Sequence, residues 1–338
     1  MRYSRQVLFP PIGTDGQARI RAARALVTGC GGLGAEAASL LARAGVGFLR
    51  IVDRDVVEIS NLQRQSLFDE SDVRECVPKA VAAARRLARV NSDVSVEPVV
   101  ADIQPGNILD FVAGVDVVVD GFDNFEGRFL LNDACVREGI PWIYGACVGS
   151  EGVSTLIVPG RTPCLRCVEP DLPGPGASPT CDTVGILGPI AHVIASLEAA
   201  QALRWLVTRM APDPPVLVTV DAWSLELHRV ELPARDAAAA CPCCGGRRFE
   251  FLDARAAPAE SLCGRDAVLV RSSSGTSPSF GELAERLRPL GEVLANDYVL
   301  RFRSPPYELT LFRDGRTVVK GTGDTALARS LVARYLGA

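Results

Sequence analysis

The sequence predicts an α/β protein built on a doubly wound, mostly parallel sheet, with a small α+β appendage behind it. Three observations carry this. Short apolar runs alternate with amphipathic helical stretches from Ala25 to Glu138, a pattern that calls for parallel strands covered by helices on both faces. The first strand runs straight into GCGGLG at Gly29–Gly34 and then into a helix, the strand–turn–helix unit of a Rossmann-like sheet. The chain has 338 residues, and at the usual domain size that corresponds to roughly two domains.

Taken in order, Ala25–Thr28 is a short buried strand, and the helix after the glycine turn places Leu33, Ala37, Leu40, Leu41 and Ala44 on one face before Gly45 closes it. Strands follow at Phe48–Val52, near Val94–Val100 and at Val115–Asp120, interleaved with helices at Pro78–Val90, Pro105–Val112 and near Phe125–Glu138. Beyond the apolar runs Ile140–Val148 and Gly152–Val158 the periodicity stops. Pro159–Pro179, rich in Pro and Gly, is expected to be a mobile loop over the ligand edge of the sheet, and it carries CLRC at Cys164–Cys167. A long helix from Gly185 comes next, then strands at Val216–Val220 and Ser224–Val230, an Ala-rich linker at Arg235–Ala240, and CPCCGG. In the tail, strands are expected at Tyr298–Arg303, Glu308–Phe312 and Thr317–Lys320, with a type I′-like Asp-Gly turn before the last, and helices near Phe280–Leu287 and Thr325–Tyr335. The expected division is 1–246 and 247–338.

Composition narrows the function. Hydrophobic residues make up 48% and charged residues 22%, globular values that exclude a wholly disordered chain. A net charge of -4 supplies no basic field for a phosphate backbone, so no nucleic-acid partner is expected. The N-terminal MRYSRQVLFPPIG lacks a signal-peptide run, and Gly185–Met210 is broken by His192, Glu198, Arg204 and Arg209, so no membrane partner is expected and the chain reads as cytoplasmic. His192 and His228 are the sole histidines and fall in apolar, periodic surroundings, which disfavours a Ser-His-Asp triad. The 11 cysteines are an odd number in a long chain, with close pairs, which points to metal or catalysis rather than a disulfide framework.

In GCGGLG, Gly29 permits a tight turn, Gly31 and Gly32 let backbone approach a phosphate, and Gly34 lets helix and strand pack closely. Asp53 lies 19 residues past Gly34 at the end of the second strand, where a carboxylate can accept the hydroxyls of an adenosine ribose. A triphosphate additionally needs cations on its tail and a divalent ion. Asn61 and Arg64 in ISNLQRQ, Lys79 in VPKA and Asp123 in DGFDN stand at successive carboxyl ends of predicted strands and can supply them, Asp123 as a Mg²⁺ ligand.

RYSRQ, GCGGLG, DRDVVEISNLQRQ, PKA, DGFDN and TCDTVGILGP occur in one order over residues 1–245, and together they resemble the ThiF/MoeB family of E1-like adenylyltransferases. The resemblance implies ATP-dependent adenylation of the C-terminal glycine of a small ubiquitin-like sulfur carrier of ThiS or MoaD type, by a homodimer with a structural zinc, ahead of thiocarboxylate formation in thiamine, molybdenum-cofactor or related sulfur-transfer biosynthesis. It also implies Asp53 as ribose ligand, Asn61, Arg64 and Lys79 as the phosphate-binding set, Asp123 as the Mg²⁺-binding, catalytically needed aspartate, and Arg5 as the arginine that reaches the other subunit's ATP. Cys76 stands where the family usually has glycine. A carboxylate substrate is ionised at pH 7, so no general base is required, in keeping with the scarcity of histidine.

Cys164-x₂-Cys167 and Cys241-x₂-Cys244 have the spacing of a tetrathiolate zinc site that would tie the crossover loop to the start of the tail, although Cys243 leaves the fourth ligand open. Cys181 precedes the predicted long helix, whose N-terminal partial charge would favour a thiolate. In sulfur-transferring family members a cysteine in this context attacks or is linked to the activated carrier. Cys30, Cys76, Cys135, Cys147 and Cys263 read as small core residues. No CxxxxR loop of a rhodanese is identifiable, so sulfur is expected from a separate donor, such as a cysteine desulfurase or a rhodanese. Two other readings stay open at this point: an NAD-dependent Rossmann oxidoreductase, and a zinc-organised nucleotide-binding scaffold without turnover.

Overall fold

The computed structural model describes residues 2–174, 180–233, 240–254, 259–262, 266–271 and 279–337. Most of the Ala-rich linker, the end of the Pro/Gly-rich segment and Cys263 lie outside them. Two compact units are present, one of Met1–Asp55, Ile59–Asp69 and Lys79–Arg255, the other of Val56–Glu58, Glu70–Pro78 and Ala256–Ala338.

The first unit is organised by eight strands: β1 (Arg24–Thr28), β2 (Phe48–Asp53), β3 (Ser95–Val100), β4 (Val117–Asp120), β5 (Trp142–Val148), β6 (Glu151–Ile157), β7 (Val216–Asp221) and β8 (Glu226–Glu231). Their spatial order is β3-β2-β1-β4-β5-β6-β7-β8. β1 pairs in parallel with β2 and β4, as β2 does with β3 and β4 with β5; β5 to β8 are antiparallel neighbours. The winding therefore reverses between β1 and β4, the switch point at which open α/β sheets bind ligands beyond their strand carboxyl ends. The central strands β1 and β4 are buried along nearly their whole length, as their unbroken Ala, Leu and Val runs require.

Helices α1 (Ser4–Val7) and α2 (Gly13–Ala22) precede the sheet, and α3 (Gly32–Ala44) leads from β1 back to β2. The short α4 (Glu70–Arg74) belongs to the second unit, whereas α5 (Lys79–Val90), α6 (Ile108–Val112) and α7 (Phe125–Glu138) return between the parallel strands. α8 (Leu165–Val168), α9 (Cys181–Val184) and α10 (Gly188–Thr208) follow β6. No helix among the described residues is long and apolar enough to cross a membrane.

The expected long helix begins at Gly188 rather than Gly185. Gly185 takes φ +79°, outside the helix, and hydrogen bonds from Gly149 N to Gly185 O (3.0 Å) and from Leu187 N to Gly149 O (2.7 Å) hold the intervening residues against the end of β5. The tail of the first unit also runs past Gly246. Phe249, Phe251 and Leu252 pack into the core around Phe129, the Phe129 and Phe251 rings lying 4.9 Å apart.

In the second unit β9 (Ala259–Leu262), β10 (Ala267–Val270), β11 (Glu292–Ala295), β12 (Val299–Ser304), β13 (Tyr307–Phe312) and β14 (Thr317–Lys320) form an antiparallel sheet ordered β11-β12-β13-β14-β10-β9. Helices α11 (Phe280–Leu287) and α12 (Thr325–Leu336) cover one face, packing on Val268, Leu300, Phe302, Leu309 and Val319. The turn between β13 and β14 corrects the type I′ expectation, since Gly315 has positive φ and Asp314 does not; a I′ turn needs both. The Arg313–Arg316 connection instead closes through Phe312 N to Arg316 O (3.0 Å).

Candidate active site

The glycine turn sits at the carboxyl end of β1. Gly29 adopts φ +84°, open to glycine at little cost. A Cβ on Gly34 would fall 1.9 Å from Gly29 O, so helix and turn approach as closely as the sequence pattern requires. Gly31 differs, with nothing closer than 3.9 Å to such an atom, leaving space above the start of α3. Asp53 ends β2 and faces this turn: Oδ2 accepts from Cys30 N (2.6 Å) and Oδ1 from Asp55 N (2.7 Å). Each oxygen keeps a further lone-pair direction, which is what paired ribose hydroxyls need. Burial raises the Asp53 carboxyl above its ordinary value, while the Lys79 ammonium and the two backbone bonds pull it down.

Lys79 opens α5 and is itself buried, with Nζ 3.3 Å from Asp55 Oδ2 and its backbone N bonded to Asp55 O at 2.9 Å. A cation is thus anchored beside the carboxylates at the end of β2. Asn61, also buried, lies in a 3₁₀ turn at Ile59–Asn61, and its carbonyl accepts from Arg64 N and Gln65 N. Arg64 is half-buried, its Nη1 reaching Ser60 O (3.1 Å) and its stem facing the Gly32 position.

At the end of β4, Asp120 organises the next turn. Its Oδ1 accepts from Phe122 N (2.9 Å) and its Oδ2 from Arg128 Nε (3.1 Å), while Arg128 Nη2 donates to Phe122 O (2.7 Å) and Gly145 O (3.2 Å). This buried pair clamps the turn and leaves Asp123, three residues on, exposed with Oδ1 accepting from Asn124 Nδ2 (3.0 Å). Burial pushes the Asp120 carboxyl up to about 6 despite Arg128. Glu198, on α10, is fully buried against Gly145 and driven well above the carboxylate range by burial and by Asp120.

Three residues not singled out from sequence join the site. Arg54 bonds Asp102 Oδ1 at 3.1 Å and lies 4.0 Å from Asp55, and Asp55, Asp102 and Asp123 all act to raise its pKa. The rule that picked Asp53 and Asp123, polar residues at strand carboxyl ends, reaches Asp102 after β3 as well. Arg54 and Asp55 carried no such signal, because consecutive charges read as solvated surface. Arg5, in contrast, is exposed on α1, and among the described residues it makes no ion pair with the site.

Cys181 does not stand at the N-terminus of the long helix α10. It opens the four-residue α9, which corrects the dipole argument, and its thiol points at Cys147 O (3.5 Å). Cys147 is half-buried, its pKa pushed up to about 12 by burial and then by Cys181. Cys30, Cys76 and Cys135 are buried.

The cysteine pairs meet. Sγ atoms of Cys164, Cys167, Cys241 and Cys244 all lie within 4.8 Å of one another, with separations of 3.9 Å for Cys164–Cys167, 3.6 Å for Cys164–Cys241 and 3.4 Å for Cys167–Cys244. Sulfurs placed tetrahedrally at about 2.3 Å from zinc would stand about 3.8 Å apart, so the set fits that ion. Cys243 is outside the group: its sulfur accepts from Asn132 Nδ2 (3.2 Å), and Asn132 Oδ1 accepts from Leu165 N (2.9 Å). One buried asparagine thereby joins the two cysteine-bearing segments, the outer support that metal ligands require.

Residues 3–243 match the family model described as the ThiF family. The chain is 46% identical over 338 residues to a sulfur carrier protein ThiS adenylyltransferase of Bacillus subtilis, covering 99% of each. It is 44% identical over 244 residues to a SAMP-activating enzyme E1 of Haloferax volcanii, covering 72% of this chain and 88% of that one. The solved structure of E. coli MccB with ATP matches with a TM-score of 0.63 at 25% identity, over 72% of this chain and 75% of that one. On these matches, the chain belongs to the ThiF family.

Proposed function

We propose that this protein is an adenylyltransferase that joins AMP to the C-terminal glycine carboxylate of a ubiquitin-like sulfur carrier of ThiS type. The observation that carries the reading is the buried Lys79 ammonium held 3.3 Å from Asp55 beside the glycine turn and Asp53. A nicotinamide-dependent oxidoreductase has no need of a cation there, whereas a triphosphate does. The relative matched over 99% of its length bears a ThiS adenylyltransferase name, which favours that carrier class.

In this reading Gly29, Gly31, Gly32 and Gly34 shape the phosphate turn, Asp53 takes the ribose hydroxyls, and Asn61, Arg64 and Lys79 hold the phosphates. Asp123, exposed beyond the clamped turn, would hold Mg²⁺, an ion whose chemistry there would be to offset negative charge on the departing pyrophosphate. The incoming carboxylate is the nucleophile at the α-phosphorus. It needs no base, and the chain's residues act by alignment and charge. Arg5 serves a second copy's site in a homodimer. The Cys181 thiol then attacks the glycine carbonyl of the acyl-adenylate, forming a thioester as the bond to AMP breaks and the thiol proton passes to solvent. Sulfide-level sulfur originating from a separate donor, such as a cysteine desulfurase or a rhodanese, displaces Cys181 to leave the thiocarboxylate, and Cys164, Cys167, Cys241 and Cys244 would hold a structural zinc. Adenylation is assigned to the first unit, which runs past the 246 boundary expected from sequence to Arg255, and the residues from Ala256 on are assigned to a C-terminal domain.

The test is intact-mass analysis of a Gly-Gly-terminated carrier incubated with the protein, ATP and Mg²⁺. A carrier–AMP adduct is expected, and Asp123→Ala should abolish both it and ATP–pyrophosphate exchange. Wild-type exchange in that variant would end the assignment of Asp123, and ATP binding without any carrier change would favour a scaffold.

A further inference from the structure

Two strips of the chain leave the nucleotide-binding unit and return to it. Val56–Glu58 departs just after Asp55 and returns ahead of Asn61 and Arg64, and Glu70–Pro78 ends at the residue before Lys79; both belong to the C-terminal unit. They pair with each other through Val57 N to Val77 O (2.9 Å) and a bridge between Val56 and Pro78. Lys320, on β14, forms an ion pair with Glu58.

The second strip contains a conformational anomaly. α4 ends with Cys76 N bonded to Val73 O (3.2 Å) and Val77 N bonded to Asp72 O (3.0 Å), the paired bonds of a Schellman motif, in which the C′ residue must be left-handed. Cys76 is that residue, with φ +54° and no exposure. Glycine is the usual occupant because a side chain is disfavoured there. The turn is held from outside by Asn296, whose Nδ2 donates to Glu75 O (2.9 Å) and Cys76 O (3.3 Å). Asn296 is itself fixed, its Oδ1 accepting from Tyr298 N (2.8 Å) and Val299 N (2.9 Å) at the start of β12.

Resting on the adenylation reading, we propose that Asn296 is a positioning residue for nucleotide binding: its amide clasps the left-handed turn at Cys76 and so fixes the path by which the chain enters α5 at Lys79. The C-terminal unit then has a task in the reaction through the continuity of the chain from Pro78 to Lys79. A cysteine at C′ needs the clasp, and a glycine would adopt the same turn unaided.

The test uses the full chain with Asn296→Asp, which keeps the acceptor for Tyr298 N and Val299 N and removes the donor to Glu75 and Cys76. With circular dichroism and melting confirming a folded protein, the ATP Kd by calorimetry and the ATP KM in pyrophosphate exchange should both rise about tenfold, with kcat within about twofold, as expected when a binding group is displaced. Adding Cys76→Gly to that variant should return Kd and KM to within about twofold of wild type. An unchanged Kd in Asn296→Asp, or a rise that Cys76→Gly does not reverse, overturns the clasp. A wild-type protein that binds ATP but catalyses no exchange overturns the adenylation reading, and the Kd series still decides the clasp.

Discussion

Removing metal from the four-thiolate cluster should lower stability by an amount the chain connectivity sets. Cys167 and Cys241 are 74 residues apart in sequence, and the cluster joins them at sulfur distances compatible with one zinc. Closing a loop of that length removes about 4.5 kcal/mol of unfolded-state entropy in the chain-entropy model used for cross-links. For a unit of this size, where 1 kcal/mol moves Tm by roughly 2–4 °C, the melting temperature should fall about 10–18 °C when a strong chelator strips the protein. The assay is differential scanning calorimetry of native and stripped protein, paired with native mass spectrometry for one zinc per chain. Cys244→Ser should reproduce the loss. Cys243→Ser should retain zinc, because Cys243 bonds Asn132 and stands outside the cluster. A stripped protein that melts where the native one does, or zinc lost from Cys243→Ser and kept by Cys244→Ser, would refute the reasoning.

Other outcomes are equally specific. Lys79→Ala should lower kcat/KM for ATP by about 10²- to 10³-fold, the loss of one charge-assisted phosphate contact in a dry site, and a change under threefold by pyrophosphate exchange would remove Lys79 from the site. Cys181→Ser should retain exchange and lose any covalent carrier adduct on non-reducing gels; an undiminished adduct would exclude Cys181. Asp120 binds its proton more tightly folded than unfolded, since its pKa of about 6 exceeds the ordinary value. Its contribution to stability is therefore greatest below about pH 4, declines by about 3 kcal/mol in all as pH rises through 6, and levels off near pH 7. Urea midpoints measured across that window should change less steeply in Asp120→Asn, and identical profiles would show that burial does not perturb this carboxyl.

The parts of the site legible in sequence are those whose chemistry is local. GCGGLG is legible because the turn, the close packing and the helix start are all encoded within six residues, and Asp53 because strand length fixes its distance from the turn. The cysteine pairs are legible by spacing, yet the choice between Cys243 and Cys244 is made by Asn132, more than a hundred residues away, which no local pattern encodes. Asp102 follows β3 and is within reach of the strand-end rule, whereas Arg54 is unremarkable alone and acquires a role when β2 and β3 pair in parallel and bring it to Asp102. Apolar periodicity continues through Ile186 and Leu187 and so predicts the long helix three residues early, whereas the bonds to Gly149 hold those residues out of it. Cys76 shows the reverse case, where a departure from a familiar pattern was visible in sequence and its meaning was not, because φ +54° is a property of the fold.

The backbone crossing at the Gly29–Gly34 turn constrains how this protein can vary. A methyl group on Gly29 would meet Gly121 O at 2.6 Å, one on Gly121 would meet Gly29 O at 2.4 Å, and one on Gly34 would meet the same Gly29 oxygen at 1.9 Å. All three obstructions are main-chain atoms, so no neighbouring side chain can shrink to make room. In a saturation library these positions should admit no alanine, and no single second-site change should restore one. Variation around this turn is thereby channelled onto neighbouring side chains such as Arg64 and Asp123, whose replacement leaves the crossing untouched.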